Sequence, residues 1–169
     1  MEIVGDKFQS CEYWLAQLVM ASEIFKEAMA LVTPQIIATR KEDSSKKIRI
    51  VVGTVEGDVH DIGKNIFKVL AECAGFEVSD LGVDVAPQVF VKAVAEQAPQ
   101  VVGMSGLLTA SIPAMQNTIE ELEKQNLRAG KKIMLGGAMV GELWVKGKTT
   151  ADFTTMNANE GIKYLKQTF

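Results

Sequence analysis

His60 is the only histidine in the 169-residue chain, and it stands in GTVEGDVHDIGKNIF, residues 53 to 67, between Asp58 and Asp61 with Gly63 three positions on. A carboxylate two residues from an imidazole has a definite chemical use. It takes the Nδ1 proton, which fixes the tautomer, leaves Nε2 free as a donor to a metal and raises its basicity. Gly63 lets the backbone approach a large ligand, or turn into a helix, without a side chain in the way. The same residues also suit a polar loop or a helix cap with no ligand, because one histidine cannot build a metal site unaided. Two further segments bear on the choice. SGLLTAS, residues 105 to 111, puts three hydroxyls in seven positions, and GGA follows at residues 136 to 138. Either alone reads as a turn. Together with the histidine loop they describe a slot lined by backbone and hydroxyls, which suits a bulky cofactor better than a small substrate.

The elements that must position these residues can be read from periodicity. From Lys46 onward, short apolar runs alternate with amphipathic ones. IRIVVGTV, FEVSDLGV, QVVGMSGLL, KKIMLGG and ADFTTM are strand candidates, separated by the helical patterns GKNIFKVLAECAG, PQVFVKAVAEQA and IPAMQNTIEELEKQN and closed by NEGIKYLKQTF. Five strands with intervening helices predict an α/β fold, a parallel five-stranded sheet of flavodoxin-like order. Such sheets bind ligands at the carboxyl ends of their strands, and all three polar segments fall there.

Residues 12 to 33 carry apolar side chains at helical spacing. Trp14, Leu18, Phe25, Met29 and Val32 share a stripe that Tyr13, Leu15, Met20, Ile24 and Leu31 widen. Pro34 signals the end of this helix, and ATRKEDSSKK, residues 38 to 47, reads as a linker. The expected organisation is a helical segment at 1–37, a linker at 38–47 and an α/β domain at 48–169. Hydrophobic residues make up 47% of the chain and the net charge is −3, so no basic face is offered to nucleic acid. No apolar run approaches a bilayer span and MEIVGDKF lacks the features of a signal peptide, so a cytoplasmic protein without membrane contact is expected. Cys11 and Cys73 are too few for a metal cluster and read as reduced thiols.

DVHDIG, SGLLTAS and GG resemble the DxHxxG, SxL and GG signature of the cobalamin-binding domains, most closely those of corrinoid carrier proteins. The segment from Val4 to Ile36 is similar to the second half of the helical cap in the cobalamin module of methionine synthase and in small corrinoid proteins. The resemblance implies cobalamin as cofactor and His60 as the lower axial ligand of cobalt, in place of the cofactor's own base. It implies that Asp58 bonds His60 and that Ser111 bonds Asp58, completing a proton relay of His60, Asp58 and Ser111. Gly57, Val59, Asp61, Ile62 and Gly63 would complete the loop around the cofactor. Ser105, Leu107 and Thr109 would contact the nucleotide tail and corrin amides. Gly136 and Gly137 would make room for the tail, and Asn157 with Ala158 would flank its far end.

The cap departs from the family pattern. Trp14-Leu15-Ala16 stands where relatives read Phe-Leu-Pro, which keeps an aromatic residue to shield the cofactor and drops the proline. The chain also reads as carrying only part of the cap, so a homodimer or a partner enzyme is expected to complete the bundle. The implied function is a methyl carrier between a substrate-specific methyltransferase and a second, methyl-accepting methyltransferase that uses tetrahydrofolate or a thiol. Two alternatives share the motif. The small subunit of an adenosylcobalamin mutase usually starts at the first strand, whereas this chain has a helix before it. A cobalamin-sensing regulator carries a Glu-His pair in its helical segment that is missing here.

Overall fold

The computed structural model describes residues 3, 4, 7, 10–38, 48–138 and 149–169. Two compact units are present, Met1–Lys41 and Glu42–Phe169. The division falls inside the expected linker, whose residues 39 to 47 lie outside the described residues.

The first unit is dominated by α1 (Leu15–Ala38). Its start is set by Gln17, whose side-chain Oε1 accepts the Trp14 backbone N–H at 2.6 Å, the return half of a capping box. Pro34 does not end this helix, contrary to the sequence reading. A proline removes one backbone donor and crowds the preceding turn. The following Gln-Ile-Ile-Ala contains no further breaker, and the helix runs on to Ala38. Met20, Ile24 and Leu31 are exposed along it. No helix among the described residues is long and apolar enough to cross a membrane.

The second unit is built from β1 (Arg49–Thr54), α2 (Ile62–Cys73), β2 (Glu77–Asp80), α3 (Pro87–Gln97), β3 (Val101–Ser105), α4 (Ser111–Lys124), β4 (Lys132–Gly136), β5 (Phe153–Thr155) and α5 (Ala158–Thr168). Its strands form one sheet of order β2-β1-β3-β4-β5, with every pairing parallel. This is the flavodoxin-like α/β fold expected from the alternation of patterns. Successive residues of a strand face opposite sides of the sheet, and both sides are buried here. Val51, Val102 and Ile133 join Phe90 and Met115 in one core, while their neighbours Ile50, Val101 and Met134 join Phe76 and Leu165 in the other. α2 packs beside α5, and α3 beside α4.

Register brings the polar segments into one row. Thr54 lies opposite Ser105, Ser105 opposite Gly136, and Gly136 opposite Thr155, all at the carboxyl ends of their strands. β3 ends at Ser105 rather than at Leu108, so residues 106 to 110 are free to serve as a loop. β2 ends at Asp80 because the chain turns through left-handed backbone at Gly82 and Asp84.

A buried ion pair anchors α2. Lys64, its side chain 3% exposed, donates to both carboxylate oxygens of Asp80 at 2.7 and 2.6 Å and to Asn65 Oδ1 at 3.0 Å. Removing the carboxylate leaves the buried Lys64 ammonium without a counter-charge, whereas Asp80 also has Lys68 at 3.8 Å. Asp80→Ala is therefore expected to cost about 3–5 kcal/mol. Lys64→Met combined with Asp80→Leu should cost much less. Urea melts of the three proteins check this, and equal losses in the single and double variants would contradict it.

Candidate functional site

The site begins where β1 runs out. Val55 still bridges Val85, and Gly57, at φ +80°, turns the chain so that Asp58 points back into the protein. Asp58 is 1% exposed and is satisfied entirely by protein donors. Its Oδ1 accepts the His60 backbone N–H at 3.0 Å and meets His60 Nδ1 at 2.7 Å. Its Oδ2 accepts the Leu107 N–H at 2.7 Å, the Leu108 N–H at 3.3 Å and the Ser111 hydroxyl at 2.6 Å. Burial by itself would raise this carboxyl. The bonds from Ser111, the His60 and Leu107 amides and the His60 ring outweigh it and hold the group well below the ordinary carboxylate range.

An ionised Asp58 makes Nδ1 the protonated nitrogen of a neutral His60 ring. Nε2 then carries the lone pair. Thr54, fully buried, donates its hydroxyl to the His60 carbonyl at 3.1 Å, so the residue is held through backbone and ring alike. Half of the His60 side chain is exposed, and among the described residues no bond reaches Nε2. The arrangement is that of an imidazole oriented for a ligand at the protein surface.

A cavity of about 310 Å³ opens beside this loop, between the carboxyl ends of β3, β4 and β5 and the first turns of α2 and α5. Ser105, Gly136, Asn157 and Ala158 line it, as do Gly63 and Gly137. Phe67, Met104 and Met134 supply apolar wall. Two of the glycines have no role in packing. A Cβ at Gly63 would meet nothing within 4 Å, and one at Gly136 would come no closer than 4.0 Å to backbone oxygens. Gly137 differs. Its φ is +122° and a Cβ there would lie 1.9 Å from the Gly106 carbonyl oxygen, so the contact between the two loops already requires glycine.

Val59, next to His60, and Leu107 and Leu108, whose amides bond Asp58, are exposed apolar residues, and Met156 is exposed on the cavity wall. The remaining loop residues, Asp61 and Ile62, lead into α2, with Asp61 as its N-cap. Thr109 is exposed and does not line the cavity. Trp14 belongs to the first unit, where it is exposed at the start of α1. A half-exposed imidazole, exposed apolar side chains and a cavity lined in part by glycines together suit one large, partly apolar ligand.

Three residues that the sequence reading did not single out take part. Thr54 and Leu108 bond His60 and Asp58, and Asp84 bonds Gly57. Thr54 could have been found as the hydroxyl at the end of β1, in the row that contains Ser105. Leu108 acts through its amide, which no residue type announces.

Comparison with known proteins agrees with this geometry. A family model described as a B12 binding domain matches residues 48–156, and a second model of the same description matches residues 1–33. Dimethylamine corrinoid protein 1 of Methanosarcina acetivorans is 38% identical, with 99% of this chain and 77% of that one covered. The structure of a monomethylamine corrinoid protein of Methanosarcina barkeri superposes with a TM-score of 0.83 at 32% identity, covering 99% of this chain and 78% of that one. A cobalamin-binding protein from Desulfitobacterium hafniense gives a TM-score of 0.70 at 40% identity, covering 97% and 75%. With the strand order, the histidine loop and both model matches in agreement, the chain belongs to the B12 binding domain family.

Proposed function

We propose that the protein is a corrinoid methyl carrier that holds cobalamin base-off and histidine-on. The observation that carries this reading is the Asp58 carboxylate, which joins the His60 ring to Ser111. Cobalamin supplies, when bound, a cobalt centre that accepts and gives up a methyl group. His60 offers Nε2 to that cobalt, and Asp58 holds the Nδ1 proton that keeps Nε2 available. When Nε2 is protonated and does not ligate, the same carboxylate pairs the imidazolium, and Ser111 keeps the carboxylate ionised. The cavity would hold the nucleotide tail, with Ser105, Gly136, Gly137, Asn157 and Ala158 as its lining. Val59, Leu107 and Thr109 would contact the corrin. Residues 1–37 serve as a partial helical cap that carries Trp14, and residues 48–169 as the cobalamin-binding domain.

The single histidine gives a clean test. Protein without an affinity tag, labelled in histidine with the spin-one-half isotope of nitrogen, is loaded with cobalamin and reduced to Co(II). Coordination by His60 turns each cobalt line in the paramagnetic resonance spectrum into a doublet, whereas the ordinary isotope, or the cofactor's own base, gives a triplet. His60→Ala must abolish the doublet. A triplet in the labelled wild-type protein would sink the assignment.

Gly63 gives a test in which two readouts move in opposite directions. Gly63→Ala should raise the stability of the cofactor-free protein by about 0.5–1 kcal/mol, the ordinary gain for a helix. It should also weaken cobalamin binding, because the new methyl enters the cavity. Thermal melts and equilibrium dialysis measure the two, and unchanged affinity would contradict the cavity's role.

The methyl group is proposed to come from a substrate-specific methyltransferase and to leave to a second one that uses tetrahydrofolate or a thiol. Two copies of α1 are proposed to meet in a homodimer. Burying Met20, Ile24 and Leu31 is worth roughly 1.5–3 kcal/mol each, and Ile24→Glu should dissociate the dimer while leaving cobalamin binding intact. Sedimentation at micromolar concentration checks this. A monomeric wild-type holoprotein would leave the methyltransferase as the partner of that face.

A further inference from the structure

The loop that carries His60 is held from two directions, and only one of them belongs to the motif residues. On the inner side, the Asp58 carboxylate is fixed by the loop after β3 and by the start of α4. On the outer side, the backbone of the same loop is fixed by the segment between β2 and α3. There the Gly57 N–H donates to Asp84 Oδ1 at 2.8 Å, and the Asp84 N–H donates to the Asp58 carbonyl at 2.9 Å. One residue thus bonds the peptide groups on both sides of the Gly57–Asp58 linkage that turns Asp58 inward, from a position 27 residues beyond Gly57.

The backbone of Asp84 shows that the side chain is what matters there. Its φ is +52°, in the left-handed region that costs an L-residue and that glycine adopts freely. Glycine would relieve the strain, and glycine already occupies the same region at Gly82. Aspartate tolerates this conformation better than most residues, yet its distinctive contribution is an acceptor for the Gly57 amide. That amide belongs to the residue at φ +80° itself, and nothing else among the described bonds fixes it.

We propose that Asp84 is a positioning residue for the metal-ligand loop. It clamps Gly57 and Asp58 so that the buried carboxylate reaches Ser111 and the His60 ring at the same time. Its loss releases the loop and lets the His60 ring leave its ligating orientation. The part of this that concerns cobalt rests on the function proposed above.

Asp84→Asn keeps both the acceptor and the tolerance of left-handed backbone, whereas Asp84→Gly keeps the backbone and removes the acceptor. In the cofactor-free protein, hydrogen exchange at the Gly57 amide should be about tenfold faster in Asp84→Gly than in wild type and unchanged in Asp84→Asn. Exchange at core amides of β3 and β4 should be equal in all three, which separates a loop clamp from general destabilisation. In the cobalamin-loaded, histidine-labelled proteins, Asp84→Gly should show a Co(II) component without the His60 doublet, and Asp84→Asn should not. Unchanged Gly57 exchange in Asp84→Gly, or lost protection with a wild-type doublet, overturns the proposal. Absence of the doublet from the wild-type protein defeats the cobalt assignment instead, and the exchange measurement still decides the clamp.

Discussion

Asp58→Asn is expected to lose about 3 kcal/mol of stability and its histidine ligation together. Every group around the carboxylate is a donor: two amides and a hydroxyl on Oδ2, an amide and the imidazole on Oδ1. An asparagine has one acceptor and one donor, so its NH2 must face one of these sets. Turned toward Leu107 and Leu108, it strands two backbone donors, at about 1–3 kcal/mol each when buried. Turned toward His60, it forces Nδ1 to accept, so Nε2 carries the proton and cannot ligate. The stability loss corresponds to a fall of roughly 6–12 °C in Tm.

The same substitution changes the response to acid. The folded Asp58 carboxyl lies below its ordinary value, so its stabilising contribution is complete at neutral pH and is lost as pH falls below about 4. The gap between wild type and Asp58→Asn should therefore be widest near neutrality and narrow in acid. Thermal melts across that range check the sign. A gap that widens on acidification would mean that the carboxyl is protonated in the native protein. Ser111→Ala, which removes one donor and leaves the others, should cost only about 1–2 kcal/mol.

Gly137→Ala is expected to be the most damaging single change. The added methyl would sit 1.9 Å from the Gly106 oxygen and 2.8 Å from its carbonyl carbon, and both are backbone atoms. Gly106 cannot retreat. It is bonded to the Gly136 carbonyl at 3.0 Å, and its own Cα faces Ser111 Cβ and the Met115 methyl. Forcing a non-glycine residue to φ +122° adds backbone strain to the overlap. A loss above about 4 kcal/mol follows, among the largest that point changes produce. Gly136→Ala, one residue earlier and with open space before it, should leave stability nearly unchanged and weaken cobalamin uptake. Soluble yield, urea melts and cobalamin titration of the pair separate a glycine kept for the fold from one kept for the cavity.

The outline of the site was legible in the sequence because its central groups are side chains of distinctive chemistry. A lone imidazole with a carboxylate two residues away leads to His60 and Asp58 by type and spacing, and the resemblance to the cobalamin-binding signature singles out Ser111 among the hydroxyls after another strand. The order of the strands followed from alternating periodicities, which reflect burial on both faces of a parallel sheet. The clamps on the loop were not legible. Leu107 and Leu108 contribute amides, and Asp84 contributes an acceptor through a left-handed backbone that only the packed loops define. Gly136 and Gly137 read alike as neighbours in sequence, and only their surroundings show that one faces open space and the other a carbonyl. Pro34 misled because a local rule about helix breaking was applied where one lost hydrogen bond did not outweigh the turn that follows it.

The cavity wall has a consequence for how the protein is made. Its residues run from Val52 on β1 to Asn159 on α5, and the row that frames it is completed by Thr155 on β5. A nascent chain that has left the ribosome only as far as β4 carries the histidine, carboxylate and serine but lacks β5 and α5, so one side of the cavity has nothing to form it. Domains fold as units during synthesis, so the pocket closes late, when β5 joins the edge of β4. Cofactor loading is thus expected after translation of this domain, and ribosome-bound chains stalled before Phe153 should fail to retain cobalamin that the released protein keeps.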